Sequence, residues 1–197
     1  MNPDPVAAEY AANSTDASIG IVVSDWQPEI SNVLLEQAVA KLNECGVEKT
    51  DIYISHVPGA MELSFGARQM SIVMEPSAVI VLGCVTKENN PMYDTICQSL
   101  TQGITHLNLH SDIPFIHGVL TTETLDEARQ YAQAQENAGA ECALAALKMV
   151  NMMASLVNYY RGSRLVLINK SPTPYDSHAD LTIAGPIGAI LDQIQVR

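Results

Sequence analysis

Cationic side chains are scarce in this chain. Lys and Arg together number 10 in 197 residues against 22 Asp and Glu, a formal net charge of −12, with a pI near 4.6. This argues against nucleic-acid binding, which draws most of its affinity from clustered cations on phosphates. An anionic ligand would have to be held by one or two local cations or by backbone N–H groups. Cysteine is sparse too. Cys45, Cys84, Cys97 and Cys142 form no CxxC, which suits small buried apolar residues better than a zinc site. The five histidines form no HExxH, and His106 and His110 lie one helical turn apart with no third ligand apparent, so no metal is expected. No apolar stretch approaches the ~20 residues of a membrane span. The first residues offer neither a basic nor an apolar leader segment, so a cytoplasmic protein with no membrane partner is expected.

What is present is a globular composition, 47% apolar and 16% charged. Residues 1–17 are small and polar and read as an N-terminal arm. Ser18–Ser24 is a β-branched run suited to a strand buried on both faces. After it, Pro28 opens a helix carried by Ile30, Val33, Leu34, Ala38 and Leu42, with Gly46 as its C-terminal stop. Strands are expected at Asp51–Val57, Ser77–Leu82 and Pro114–Val119. Helices are expected at about Met61–Val73, Pro91–His110 and Ala138–Asn158, with a further one opening at Leu120–Glu123 on a Thr121 or Thr122 cap. Gly83–Asn90 reads as a polar loop. Alternating strands and helices with short links predict a doubly wound parallel sheet with helices on both faces. Ligands of such sheets bind outside the carboxyl ends of the strands. The loops to inspect are therefore Asp25–Gln27, Pro58–Glu62, Gly83–Asp94 and Leu120–Thr122. The pattern changes after Asn158. Arg164–Asn169 reads as a strand, Ser171–Asp176 as a turn, and residues 159–197 as a C-terminal extension of unknown structure beside an 18–158 domain.

Five segments on these elements resemble the lumazine synthase family of riboflavin biosynthesis: IGIVVSDWQPEI at Ile19–Ile30, VPGAMEL at Val57–Leu63, VIVLGCVTKENNPMYD at Val79–Asp94, GVLTTETLDEA at Gly118–Ala128 and NAGAECALAALKMVNM at Asn137–Met152. They follow one another in the family's order with nearly its gaps. The resemblance implies a flavodoxin-like three-layer α/β/α sandwich on a four-stranded parallel sheet. It also implies condensation of 5-amino-6-(ribitylamino)uracil with 3,4-dihydroxy-2-butanone 4-phosphate, without metal or organic cofactor, in a homo-oligomer built of pentamers with sites between subunits.

The same resemblance distributes roles. Trp26 takes the place of the ring that stacks on the pyrimidine, or else plugs an interface. Gly59, Ala60, Met61 and Glu62 match the segment that grips the ribityl chain, although Glu62 would equally complement a helix dipole. Cys84, Val85 and Thr86 match further substrate-binding positions. Lys87 replaces a family arginine, keeping the charge without the planar fork, or is simply a solvated lysine. Glu88, Asn89 and Asn90 stand where the family has a phosphate-binding loop. Glu88 would repel an anion, which leaves Lys87, Asn89 and Asn90 as the phosphate contacts. The family's phosphate-binding arginine falls near Tyr131, with Arg129 the nearest cation, and a basic residue of the family becomes Ala138. The family's proton-shuttling histidine is Met92, and a thioether moves no protons. His117, in place of a family phenylalanine, is the candidate substitute, or a satisfied histidine of the strand. A paralogue that binds a lumazine or flavin, or that serves only assembly, is the alternative reading.

Overall fold

In a computed structural model the described residues are 17–133, 138–158, 166–169, 176 and 179–185. Residues 1–16 of the expected N-terminal arm, the Ser171–Tyr175 part of the expected turn and the end of the chain from residue 186 lie outside them. Cα packing divides the chain into two units, 1–151 and 152–197.

The first unit is built on four strands: β1 (Ile19–Ser24), β2 (Ile52–Val57), β3 (Ala78–Thr86) and β4 (Phe115–Thr122). They pair in parallel in the order β2-β1-β3-β4. Between and after them run α1 (Pro28–Glu44), α2 (Leu63–Val73), α3 (Tyr93–His110), α4 (Leu125–Gln133) and α5 (Ala138–Asn158). This is the expected α/β/α architecture. The strand periodicity splits the core into two sides. Ile19, Ile21, Val23, Ile80 and Leu82 face Ile30, Leu34, Leu42, Ala128, Ala143 and Leu147 from α1, α4 and α5. Val22, Val79, Val81 and Val85 face Leu63, Ala67, Met70, Leu100 and Ile104 from α2 and α3. Burying one such aliphatic side chain contributes about 1.5–3 kcal/mol, so both faces of the central strands β1 and β3 are strongly specified. Edge strand β2 instead exposes Ser55 and His56.

Helix α1 stops as its sequence requires. Gly46 adopts φ 94° and its N–H bonds the Asn43 carbonyl, while the Val47 N–H bonds that of Leu42. Two strands run on past their expected ends. Strand β3 does not end at Leu82. It runs to Thr86, each residue from Gly83 on paired with Val119–Thr122 of β4 and buried. Gly83 gives the stretch a loop-like look, but a Cβ there would stand 3.2 Å from Ser24 Cβ and 3.4 Å from Leu63 Cδ1, so its smallness serves packing. Strand β4 likewise continues through Thr122, and the helix after it starts at Leu125. Its cap is Thr124, not Thr121 or Thr122. The Glu127 N–H donates to Thr124 Oγ1 at 3.2 Å, and the Glu127 carboxylate accepts the Glu123 N–H at 3.0 Å. His106 and His110 stack at 4.1 Å between centroids. Among the described residues no three His, Cys, Asp or Glu converge on a metal position, and no helix is long and apolar enough to cross a membrane.

In the second unit β5 (Val166–Asn169) and β6 (Leu181–Ala184) pair in parallel, Val166 opposite Leu181 and Asn169 opposite Ala184. Of the expected strand Arg164–Asn169, Val166–Asn169 is strand, and Arg164 and Leu165 lie outside the described residues.

Close approach of α5 to α1 depends on Gly139. Its N–H reaches Gln37 Oε1 at 3.3 Å, and an added Cβ would fall on the backbone carbonyl of Leu34. Backbone cannot swing aside as a side chain can. Gly139→Ala is expected to destabilise the fold by about 1–3 kcal/mol, read as a lowered midpoint in urea unfolding. An unchanged midpoint would mean that α5 packs less tightly on α1 than described.

Candidate active site

The chain turns of β1, β2 and β3 open at one rim of the sheet and enclose a cleft of about 560 Å³. Trp26 and Gln27 come from the first turn, Gly59–Glu62 from the second, and Val85, Thr86, Glu88, Asn89, Asn90, Met92 and Ile96 from the end of β3 and the start of α3.

The first turn is rigidly held. The Trp26 N–H donates to Ser24 Oγ at 3.1 Å, and Ser31 Oγ donates to the Trp26 carbonyl at 3.0 Å. Both serines are buried. Gln27 sits in the left-handed region at φ 55°, ψ 57°, and its carbonyl receives the Ile30 and Ser31 N–H groups that open α1. Such a conformation costs a non-glycine residue about 1–3 kcal/mol and persists only where the surroundings impose it. The result is an indole fixed at its backbone yet 61% exposed. An apolar ring left in water beside a cleft is able to stack on another flat ring. His56 Nδ1 lies 2.8 Å from Asp25 Oδ1 and ties this turn to β2.

The second turn passes from Gly59 into a short 3-10 segment, Ala60–Glu62, that leads into α2. Helix α2 therefore starts at Leu63, two residues later than expected. Glu62 is exposed on the cleft as a ready acceptor for hydroxyl hydrogens.

The third turn is built around Asn90. Its amide donates to the Thr86 carbonyl at 3.1 Å, its Oδ1 accepts the Met92 N–H at 3.1 Å, and its backbone carbonyl accepts the Tyr93 N–H. Asn89 beside it is left-handed at φ 56°. The loop's own donors are largely committed: the Lys87 N–H to the Thr122 carbonyl, the Glu88 N–H to that of Glu123, and the Asn90 N–H to that of Lys87. Glu88 and Asn89 are exposed at the cleft and Met92 is 53% exposed there.

Of the residues singled out in the sequence, Trp26, Gly59, Ala60, Met61, Glu62, Val85, Thr86, Asn89 and Asn90 lie together on this cleft. Cys84, Lys87 and His117 do not line it. Cys84 alternates to the opposite face of β3, packed in the α1 side of the core, where burial pushes its thiol up to about 11. Lys87 turns to Glu123, Nζ to Oε1 at 3.0 Å, and that hydrogen bond raises its pKa and keeps it charged. His117 is exposed on edge strand β4. Desolvation nonetheless lowers its pKa below the ordinary histidine value, which favours the neutral imidazole and makes it a weaker base. Arg129 is committed to Asp126 at 2.6 Å and Glu29 at 3.5 Å. Tyr131 is exposed. Gln27 and Ile96 also line the cleft. The i, i+4 spacing of Met92 and Ile96 could have found the second, but nothing in the sequence announces the left-handed turn that brings in the first.

The Asn90 anchor can be tested. Asn90→Ala removes two side-chain hydrogen bonds worth about 0.5–1.5 kcal/mol each. Amide exchange at Met92 should accelerate selectively, with protection in β1 and β3 retained. Unchanged exchange at Met92 would show that the loop holds itself without this side chain.

Residues 16–154 match a protein family described as 6,7-dimethyl-8-ribityllumazine synthase. Curated proteins of that name are similar to this chain. One from Parabacteroides distasonis is 47% identical over 152 residues, covering 75% of this chain and 95% of the relative. One from Bacteroides fragilis is 42% identical over 138 residues, covering 70% and 96%. One from Porphyromonas gingivalis is 42% identical over 138 residues, covering 70% and 86%. A match that extends across the whole sheet and all three cleft-forming turns fixes the family, and this chain belongs to the 6,7-dimethyl-8-ribityllumazine synthases.

Proposed function

We propose that this chain forms 6,7-dimethyl-8-ribityllumazine from 5-amino-6-(ribitylamino)uracil and 3,4-dihydroxy-2-butanone 4-phosphate, with positioning as its main means of catalysis. The observation that carries this reading is Trp26, a solvent-facing indole on a clamped turn at the mouth of a cleft whose other side is Gly59–Glu62. The indole stacks on the pyrimidine, the Gly59–Met61 backbone and the Glu62 carboxylate hold the ribityl hydroxyls, and Val85 and Thr86 border the ring. The four-carbon phosphate lies toward Asn89 and Asn90. Bringing amine and carbonyl together in a bound pair raises their effective concentration greatly, so a reactive pair turns over even where proton transfer is left to water.

A homo-oligomer based on pentamers goes with this reading. Phe65, Ile72 and Val73 on α2 and Ile54 on β2 are large apolar side chains left exposed in the single chain, as expected of surfaces that meet other copies. His117 on edge strand β4 and Lys87 in the turn after β3 then reach the reaction from a neighbouring copy. None of the four cysteines forms a disulfide, which fits a reducing cytoplasm.

Met92 favours a second reading. The family's proton shuttle is a histidine at this place, and here a thioether faces the cleft. Loss of a general acid–base typically lowers rate by about 10²–10⁴-fold. The chain would then retain a lumazine or flavin rather than make one.

A turnover assay with both substrates, set beside equilibrium binding of the product, separates the two. Product formation supports the enzyme, while tight binding without turnover supports the paralogue. Trp26→Ala should weaken ring binding by about five-fold or more, the value of one stacking contact, whereas Trp26→Phe retains most of it. Met92→His should raise kcat at least about ten-fold if only the proton shuttle is missing. If kcat stays flat in a variant that still binds substrate, proton transfer is not what limits the wild type.

A further inference from the structure

The C-terminal end of α3 carries a feature that the proposed reaction does not use. His106 and His110 stand one helical turn apart, which puts both on one face of the helix. Both are exposed. Their rings stack with centroids 4.1 Å apart and planes 17° from parallel. His110 Nδ1 lies 2.8 Å from the His106 carbonyl oxygen. A carbonyl only accepts, so Nδ1 carries a proton and donates it there. In the neutral ring that leaves Nε2 with a free lone pair. Metal-binding histidines are oriented in this manner, one ring nitrogen bonded to a backbone carbonyl and the other presented to the ion.

The electrostatics of the place agree. The last carbonyls of a helix carry a partial negative charge, which favours a cation within the last turn. The chain's net charge of −12 draws cations to its surface. The turn is also a fixed platform. Asn108, between the two histidines, donates to the Phe115 carbonyl at 2.9 Å and accepts the Phe115 N–H at 2.8 Å. Leu107 beside it is buried in the core.

We propose that His106 and His110 form a two-imidazole site for a divalent cation of the Ni²⁺, Cu²⁺ or Zn²⁺ class. Imidazole suits these ions, whereas Mg²⁺ and Ca²⁺ prefer oxygen ligands. Each ring supplies one nitrogen at about 2.0–2.1 Å from the ion, which the stacked pair reaches by a slight pivot of the rings toward each other. Among the described residues no third His, Cys, Asp or Glu joins the pair, so water completes the coordination. The ion ties residues 106 and 110 across one helical turn. It is a structural ion. Helix α3 opens at Tyr93 beside the cleft and ends at the pair, 18 residues or roughly 27 Å away.

Calorimetric titration of the full-length protein, free of any histidine tag, with Ni²⁺ tests the site. The wild type is expected to bind. His106→Gln and His110→Gln should each weaken binding at least about ten-fold, since losing a ligand costs no less than losing its outer-shell partner. Glutamine is as good a helix former as histidine or better, so both variants keep α3. An ion that binds only the folded chain stabilises it. Ni²⁺ should therefore raise the urea midpoint of the wild type and leave that of either variant in place, and Mg²⁺ should move none of them. A wild type that binds no Ni²⁺ overturns the proposal. So does binding that persists at full strength in both variants, which would put the ion on other groups such as His56 and Asp25. These readouts are binding and unfolding, so their outcome is separate from that of any turnover assay.

Discussion

The central strand β3 is longer than its neighbour, and the cleft exists because of that overhang. In the β1–β3 register Ser24, the last residue of β1, falls level with Gly83, and β3 continues through Thr86 on hydrogen bonds to β4 alone. The added residues carry Val85 and Thr86 beyond the end of β1 and turn the chain back toward Trp26. Gly83 permits the crossing, since any side chain there would press on Ser24 and Leu63. Ser24, so placed, is free to receive the Trp26 N–H. The position of the indole thus traces back through two hydrogen bonds to a strand register that the aliphatic core specifies on both faces.

The rim is stiff around Trp26. Of the described residues other than glycine, Gln27, Glu75 and Asn89 adopt positive φ, and two of these three border the cleft. Backbone held in such conformations tends to collect where ligands are gripped. The cleft is also acidic, in keeping with the chain's net charge of −12.

Much of this was legible in the sequence. The β-branched run at Ile19–Val23 and the helical spacing of Ile30, Leu34, Ala38 and Leu42 predicted the layers, because buried strands and amphipathic helices write their periods into the chain. Motifs placed most of the cleft, since the turns after β1, β2 and β3 must open on one rim of a parallel sheet. What escaped was set by partners distant in sequence. Gly83 looked like the start of a loop until the pairing of β4 was known. Thr124 was hidden behind two other threonines as the helix cap. Cys84 belongs to a motif adjoining the cleft but points the other way, because strand side chains alternate. The commitment of Lys87 to Glu123 depends on the parallel pairing of β3 with β4, and no local pattern foretells it.

The most direct test of this account is a crystal structure of the protein in complex with 6,7-dimethyl-8-ribityllumazine. The ring should lie on the Trp26 indole, with the ribityl chain running along Gly59–Met61 to the Glu62 carboxylate. A lumazine bound elsewhere, with the indole still facing solvent, would contradict it.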